Sequence, residues 1–272
     1  MADMESPGPA SSSRALEFGD LRKGTIQGVS FRMTRAILLF LSYLVLRMRI
    51  EGADRVPRDG GILVLSNHLH NADPLLIAIA CPRPVHFMAK RELMTVPVIG
   101  RIIRLGGTFA VDRGRADRTA IRRADATLKQ GIALGMFPEG TRSRIRQIER
   151  ALPGAGLIAL RGNAPIVPVA ITGSERLPFN GTKGGRERNP DPGHRGVRIV
   201  FGEPFQLPPT IDGKRTSADQ AIDLAMRHVA EMLPETYRGI YSFSRASAAS
   251  ASTGTSSKSS PESGITNSPS SS

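Results

Sequence analysis

Ile62-Leu63-Val64-Leu65-Ser66-Asn67-His68-Leu69-His70-Asn71-Ala72-Asp73-Pro74 changes character a third of the way along. Its first four residues are large and apolar, as in a short buried strand. Residues 66–74 are rich in Asn, His, Asp and Pro, which favour turns and helix starts. A strand thus carries His68 and Asp73 to its end and releases them in a loop. Residues five apart do not share a helix face, where neighbours come at three and four. The two side chains meet only if a turn intervenes, and Asn67, Asn71 and Pro74 favour one. If they meet, Asp73 accepts a hydrogen bond from one ring nitrogen of His68 and fixes the tautomer. The other nitrogen is then left to take a proton from a hydroxyl near neutral pH. The bland alternative makes His68 a loop cap and Asp73 a helix N-cap. His70 is a second candidate base, with closer spacing to Asp73 and no comparable support downstream.

Outward from this stretch the pattern alternates. Strand-like runs fall at Ile62–Leu65, Val85–Met88, Thr108–Val111, Ile132–Phe137, Ile166–Ile171 and Val197–Phe201. Between Arg115 and Lys129, the residues Ala120, Ile121, Ala124 and Leu128 recur at helical spacing with basic residues opposite. Pro97–Leu105 and Pro153–Arg161 read as shorter helices, each with proline in its first turn. Ser217–Leu233 reads as a final helix, and Asn180 to Gly196 as a Gly/Pro/basic loop. Strands alternating with helices predict an α/β fold: a largely parallel, mixed sheet flanked by helices.

The ends differ from the middle. Residues 1–15 and 246–272 are mostly Ser, Ala, Pro, Gly and Thr, too polar to order themselves, and are expected to be disordered tails. Residues 16–50 are read as a membrane-associated helical segment and 51–245 as the α/β domain. The apolar run Ala36–Leu46 has Arg32 and Arg35 before it and Arg47 and Arg49 after it. It falls well short of the roughly 20 apolar residues that a spanning helix needs. A signal peptide fits the length, but no small-residue cleavage site comes after it. A helix lying in one leaflet, with arginines reaching lipid phosphates on both flanks, fits better than an ordinary core helix.

The chain of 272 residues is 40% hydrophobic, enough for a sizeable core, and carries a formal net charge of +13. That charge predicts an anionic partner: a membrane surface, a phosphorylated substrate or nucleic acid. Aromatic residues are only 5% and tryptophan is absent, so a base-stacking platform is not expected and nucleic acid is disfavoured. The single cysteine, Cys81, excludes an internal disulfide, argues against a Cys/His metal site and reads as a small buried hydrophobe. No bound metal is expected.

Two further clusters end strands. Gly106-Gly107-Thr108-Phe109-Ala110-Val111-Asp112-Arg113 places Arg113 where α/β folds gather ligands, and its planar fork suits a phosphate. The other is Phe137-Pro138-Glu139-Gly140-Thr141-Arg142-Ser143. Gly140 permits a sharp turn, Thr141 and Ser143 offer hydroxyls, Arg142 a fork, and Glu139 an acceptor for a glycerol or sugar hydroxyl. Taken alone, each also reads as a solvated ion pair at a turn. Lys90, after another strand, adds positive potential to the same edge. Ile166-Val167-Pro168-Val169-Ala170-Ile171 is apolar throughout and carries no candidate.

In this order, His68-x4-Asp73, Gly107 to Arg113, Phe137 to Ser143 and Ile166 to Val169 resemble the blocks of the glycerolipid acyltransferases, in particular the bacterial 1-acylglycerol-3-phosphate acyltransferases. The resemblance spans roughly Gly52 to Phe205. It implies transfer of an acyl group from coenzyme A or acyl carrier protein to a lysophospholipid hydroxyl, with no bound cofactor. It implies His68 as base with Asp73 as its partner, and Arg113, Glu139, Gly140, Thr141 and Arg142 binding the glycerol phosphate, with Lys90 beside them. An enzyme of this kind is expected at the cytoplasmic face of the cell membrane. The alternatives are transfer to another lysolipid or a non-catalytic membrane-binding protein.

Overall fold

The computed structural model describes residues 25–90, 109–111, 118–178 and 196–242. The two expected tails, the Pro97–Leu105 helix, the loop from Asn180 up to Gly196, and Arg113 lie outside the described residues.

Among the described residues, seven strands form the main sheet: β1 (Arg49–Glu51), β2 (Ile62–Ser66), β3 (Val85–Lys90), β4 (Phe109–Val111), β5 (Ala133–Met136), β6 (Ile166–Thr172) and β7 (Arg198–Phe201). Their order is β1-β7-β6-β2-β5-β3-β4. The five strands from β6 to β4 are mutually parallel. β7 runs against β6, and β1 runs with β7, so one edge of the sheet is reversed. The expected parallel sheet is therefore present with a reversed two-stranded margin, and β1 is an addition that its three residues gave no periodicity to announce. A separate small hairpin joins β8 (Thr210–Ile211) to β9 (Lys214–Arg215).

The central strands β2, β5 and β6 are buried along their whole lengths. Side chains that alternate along a strand feed two cores. Leu63, Leu65, Leu134 and Met136 point to one face, where they meet α3 (Arg118–Lys129), α4 (Pro153–Gly162) and α5 (Ala218–Glu231). Ala120, Ala124 and Leu128 form the buried stripe of α3 that their spacing predicts. Ser217 opens α5 with a reciprocal capping box to Gln220. Ile62, Val64, Ala133, Val167, Val169 and Ile171 point to the other face, against α2 (Asp73–Ala80), with side chains of α1 (Thr25–Leu46) packed on its margin. Cys81 is fully buried there, and burial pushes its thiol pKa up.

Helix α1 ends at Leu46, Arg47 turns with a φ of 48°, and residues 49–51 join the sheet as β1. The segment read as helical to Ile50 thus divides, because the peptide groups of Arg49–Glu51 find partners on β7. Leu38, Leu39 and Leu46 pack against the core and Ser42 is buried, a stripe at spacings of three and four. Ile37, Phe40, Tyr43, Leu44 and Val45 are left exposed. Arg35 does not reach outward: its guanidinium donates to the carbonyls of Ala80 and Cys81 at 2.9 and 2.8 Å. It thereby satisfies the end of α2, where cations and donors are favoured. Among the described residues, no helix is long and apolar enough to cross a membrane.

Candidate active site

All five parallel strands release their chains at one edge, and the candidate residues collect there. β2 ends at Ser66, and the next residue makes an unusual substitution for a strand. The Asn67 side chain donates from Nδ2 to the carbonyl of Ile171 and accepts on Oδ1 from the N–H of Ile171, both at 2.9 Å. Its amide thus stands in for a peptide group beside β6. The main chain can leave the sheet without orphaning the buried polar groups of its neighbour.

His68 comes next. Its Nδ1 lies 2.9 Å from Oδ2 of Asp73. The same oxygen accepts the backbone N–H groups of Leu69 and His70, each at 2.6 Å. The intervening residues form the turn that the pair requires, closed by the Asp73 N–H donating to the carbonyl of His70 at 3.0 Å. Asp73 begins α2 but caps nothing within it, since the N-cap is Ala72. Its carboxylate faces back to the loop. With Nδ1–H directed at Asp73, the Nε2 lone pair of His68 has no hydrogen-bond partner among the described residues. The imidazole side chain is 10% exposed, so it is reachable on one side only.

The ring plane is fixed as well. His68 stacks on Phe137 with centroids 4.0 Å apart and planes 18° from parallel. Phe137 stacks in turn on Phe87, at 5.5 Å and 17°. Gly135 in β5 leaves room for this column, because a Cβ there would come within 2.5 Å of the Phe87 ring.

His70 is disposed differently. Its Nδ1 accepts the N–H of Ala72 at 3.0 Å, and its Nε2 faces the carbonyl of Pro178 at 3.2 Å. Both ring nitrogens are engaged in joining two loops. Burial lowers its pKa, opposed by Asp73 and assisted by Arg142 and His68. The imidazole therefore stays neutral and structural.

The loop after β5 wraps the other side. Gly140 adopts a φ of 70°, which glycine tolerates and other residues rarely do. Glu139 is 5% exposed and turned inward. Its Oε1 accepts the N–H of His68 and its Oε2 the N–H of Glu149, both at 3.0 Å. Burial raises its pKa to about 7 against the lowering pull of those two hydrogen bonds. The Ser143 N–H donates to the carbonyl of His68 at 2.8 Å, and the Ser143 hydroxyl accepts from the N–H of Gln147. Thr141 is exposed and Arg142 half-buried. The Arg142 charge is felt at His70, which places it beside the His68 loop.

The structure thus gathers His68, Asp73, Glu139, Gly140, Thr141 and Arg142 at one edge. Lys90 ends β3 at that edge by its backbone, paired with Val111. Arg113 lies outside the described residues. Phe87 lies outside the clusters quoted from the sequence, and Asn67 and Phe137 stand inside them with no contact to His68 or β6 assigned. Asn67 stood in plain view beside His68, but its role depends on Ile171, 104 residues away.

A family model described as Acyltransferase matches residues 47–172. The 1-acyl-sn-glycerol-3-phosphate acyltransferase of Bacillus subtilis is 32% identical over 128 residues, 46% of this chain and 63% of that protein. The enzyme of the same name from Escherichia coli is 29% identical over 170 residues, 61% of this chain and 63% of that protein. A probable 1-acyl-sn-glycerol-3-phosphate acyltransferase of Mycoplasma pneumoniae is 33% identical over 150 residues, 53% of this chain and 56% of that protein. The chain thus spans roughly three-fifths of the length of these curated relatives. The crystal structure of the 1-acyl-sn-glycerophosphate acyltransferase PlsC from Thermotoga maritima superimposes with a TM-score of 0.51 at 22% identity, covering 74% of this chain and 82% of that one. It has the same fold. Family model and relatives thus agree that this part of the chain is similar to acyltransferases.

Proposed function

We propose that this protein transfers a fatty acyl group from a thioester to the free hydroxyl of 1-acylglycerol 3-phosphate, giving phosphatidic acid. The observation that carries the reading is the His68–Asp73 pair, 2.9 Å apart, with the second ring nitrogen left without a protein partner among the described residues. Nε2 of His68 takes the hydroxyl proton as the oxygen attacks the thioester carbonyl. The tetrahedral oxyanion collapses, the C–S bond breaks, and the thiol leaves with the proton held by the imidazolium. No acyl-enzyme is needed, because base and both substrates meet at one edge. The relatives' names support the acceptor.

The phosphate is held by Arg142, and the resemblance assigns Arg113 and Lys90 to it as well. Guanidinium forks suit this task because they bond two oxygens at once. Thr141, exposed and next to Arg142 in the chain, offers its hydroxyl to the headgroup. Acyl-coenzyme A or acyl carrier protein supplies the thioester. The exposed apolar side of α1 lies against an anionic membrane at its cytoplasmic face, which fits the net charge of +13.

Thiol release from acyl-coenzyme A with a panel of lysolipids tests the reading. General-base assistance is worth about 10²–10⁴ in rate, so His68→Ala should lose that much. Activity near the wild-type level in that variant would reject the mechanism. Arg142→Ala should chiefly raise the acceptor KM, as expected for a group binding a phosphate remote from the reacting atoms. Preference for a lysolipid without a terminal phosphate would move the assignment to another acceptor.

A further inference from the structure

We propose that Glu139 is a positioning residue, which fixes the base His68 through its backbone and does not touch the acceptor. The inference rests on His68 being the base, and it departs from the role that the sequence leaves open to this glutamate.

Each oxygen of the Glu139 carboxylate receives a backbone N–H, one from His68 and one from Glu149, at 3.0 Å. The side chain thus bridges the loop that carries the base and the loop after β5. It is buried, and burial is also the largest cause of its raised pKa, so it sits in a dry interior and not at an open mouth. Two later residues of the motif behave otherwise: Thr141 is exposed and Arg142 partly so. The motif therefore has inward members, Glu139 and Ser143, and outward ones, Thr141 and Arg142.

Past the end of β2, the peptide groups of His68 no longer have a strand beside them. Its N–H is taken by Glu139 and its carbonyl by the N–H of Ser143 at 2.8 Å. The preceding residue is held by Ile171 through the Asn67 amide. Asp73 and Phe137 fix the ring, but a ring can be fixed only relative to its own backbone. Glu139 supplies that backbone anchor from a second strand end. Removing it leaves the buried N–H of His68 without an acceptor and lets the loop shift. A misplacement of about 1 Å at a reacting centre costs on the order of 10²-fold in rate.

The test uses the full chain with Glu139→Gln and Glu139→Asp. The amide of the first can accept at only one end, and the second is too short by one methylene to span both N–H groups. Two readouts are taken. Steady-state kinetics with 1-acylglycerol 3-phosphate and acyl-coenzyme A should show kcat falling by about tenfold or more, with the acceptor KM within about threefold. NMR spectra of histidine-labelled protein should show the His68 ring signals displaced relative to wild type. An acceptor KM raised tenfold with kcat preserved, or unaltered His68 signals in both variants, would overturn the proposal. If one variant fails to fold, the other carries both readouts. The NMR arm needs no substrate, so wild-type protein inactive on this acceptor would sink the proposed reaction while leaving the coupling of Glu139 to His68 measurable.

Discussion

The loop from Ser66 to Asp73 and the helix α1 are attached to the molecule in opposite ways. The loop is nearly all buried, and its polar atoms are tied at three points: Asn67 to β6, the His68 backbone to the segment after β5, and the His68 ring to Asp73. Over its described side chains, helix α1 is attached by one stripe and the Arg35 contact, and Ile37, Phe40, Tyr43, Leu44 and Val45 are uncovered. In the proposed reaction the loop must aim one atom, and these ties restrict it on three sides. The helix is suited to meeting a surface, for which apolar area matters and aim does not. Proposed chemistry and proposed membrane contact are thus assigned to regions with different physical demands.

The largest effect that would break this contrast is at Asp73. Asp73→Asn keeps the shape but replaces a three-fold acceptor, presenting an amide that can turn the wrong tautomer of His68 toward the substrate. Loss of kcat by about 10³-fold is expected, measured in thiol release. A loss below tenfold would mean that the ring is aimed by stacking alone.

A smaller effect concerns stability and pH. The folded-state pKa of Glu139 is raised to about 7 from an ordinary 4.5. A raised value means that the folded protein holds the proton more tightly than the unfolded chain. The corresponding stability is fully present below about pH 4.5 and is lost as pH rises through about 7. A rise of that size corresponds to about 3 kcal/mol. In Glu139→Gln this part of the pH dependence of Tm should vanish, which scanning calorimetry between those pH values reads directly. An unchanged profile would place Glu139 in a wetter setting than the loop comparison requires.

The smallest effect on chemistry belongs to α1. Phe40→Glu with Val45→Glu should abolish sedimentation with anionic vesicles while changing kcat on detergent-dispersed substrate by less than about twofold. Each apolar side chain withdrawn from a membrane forfeits about 1.5–3 kcal/mol of burial. Equal vesicle binding by the double variant would make α1 an ordinary flanking helix.

Much of this was legible in the sequence because period and spacing are local. The apolar runs located the five mutually parallel strands, and Asn67, Asn71 and Pro74 announced the turn that lets His68 reach Asp73. Three things were not legible. The reversal of β7 depends on where a long connection returns, which residues 173–197 do not encode by periodicity. β1 has only three residues and owes its strand form to β7. The inward direction of Glu139 is set by two N–H groups that come together only on folding, and a carboxylate beside arginine reads equally well as a ligand-binding group.

The Arg35 contact has a mechanical consequence. Helix α2 is a rod of eight residues, about 12 Å long, with Asp73 at one tip and the carbonyls gripped by Arg35 at the other. Its base is held to α1, whose apolar side chains Ile37, Phe40, Tyr43, Leu44 and Val45 are exposed. A tilt of α1 that keeps these two hydrogen bonds carries the end of α2 with it, and Asp73 stands at the other end of that short rod.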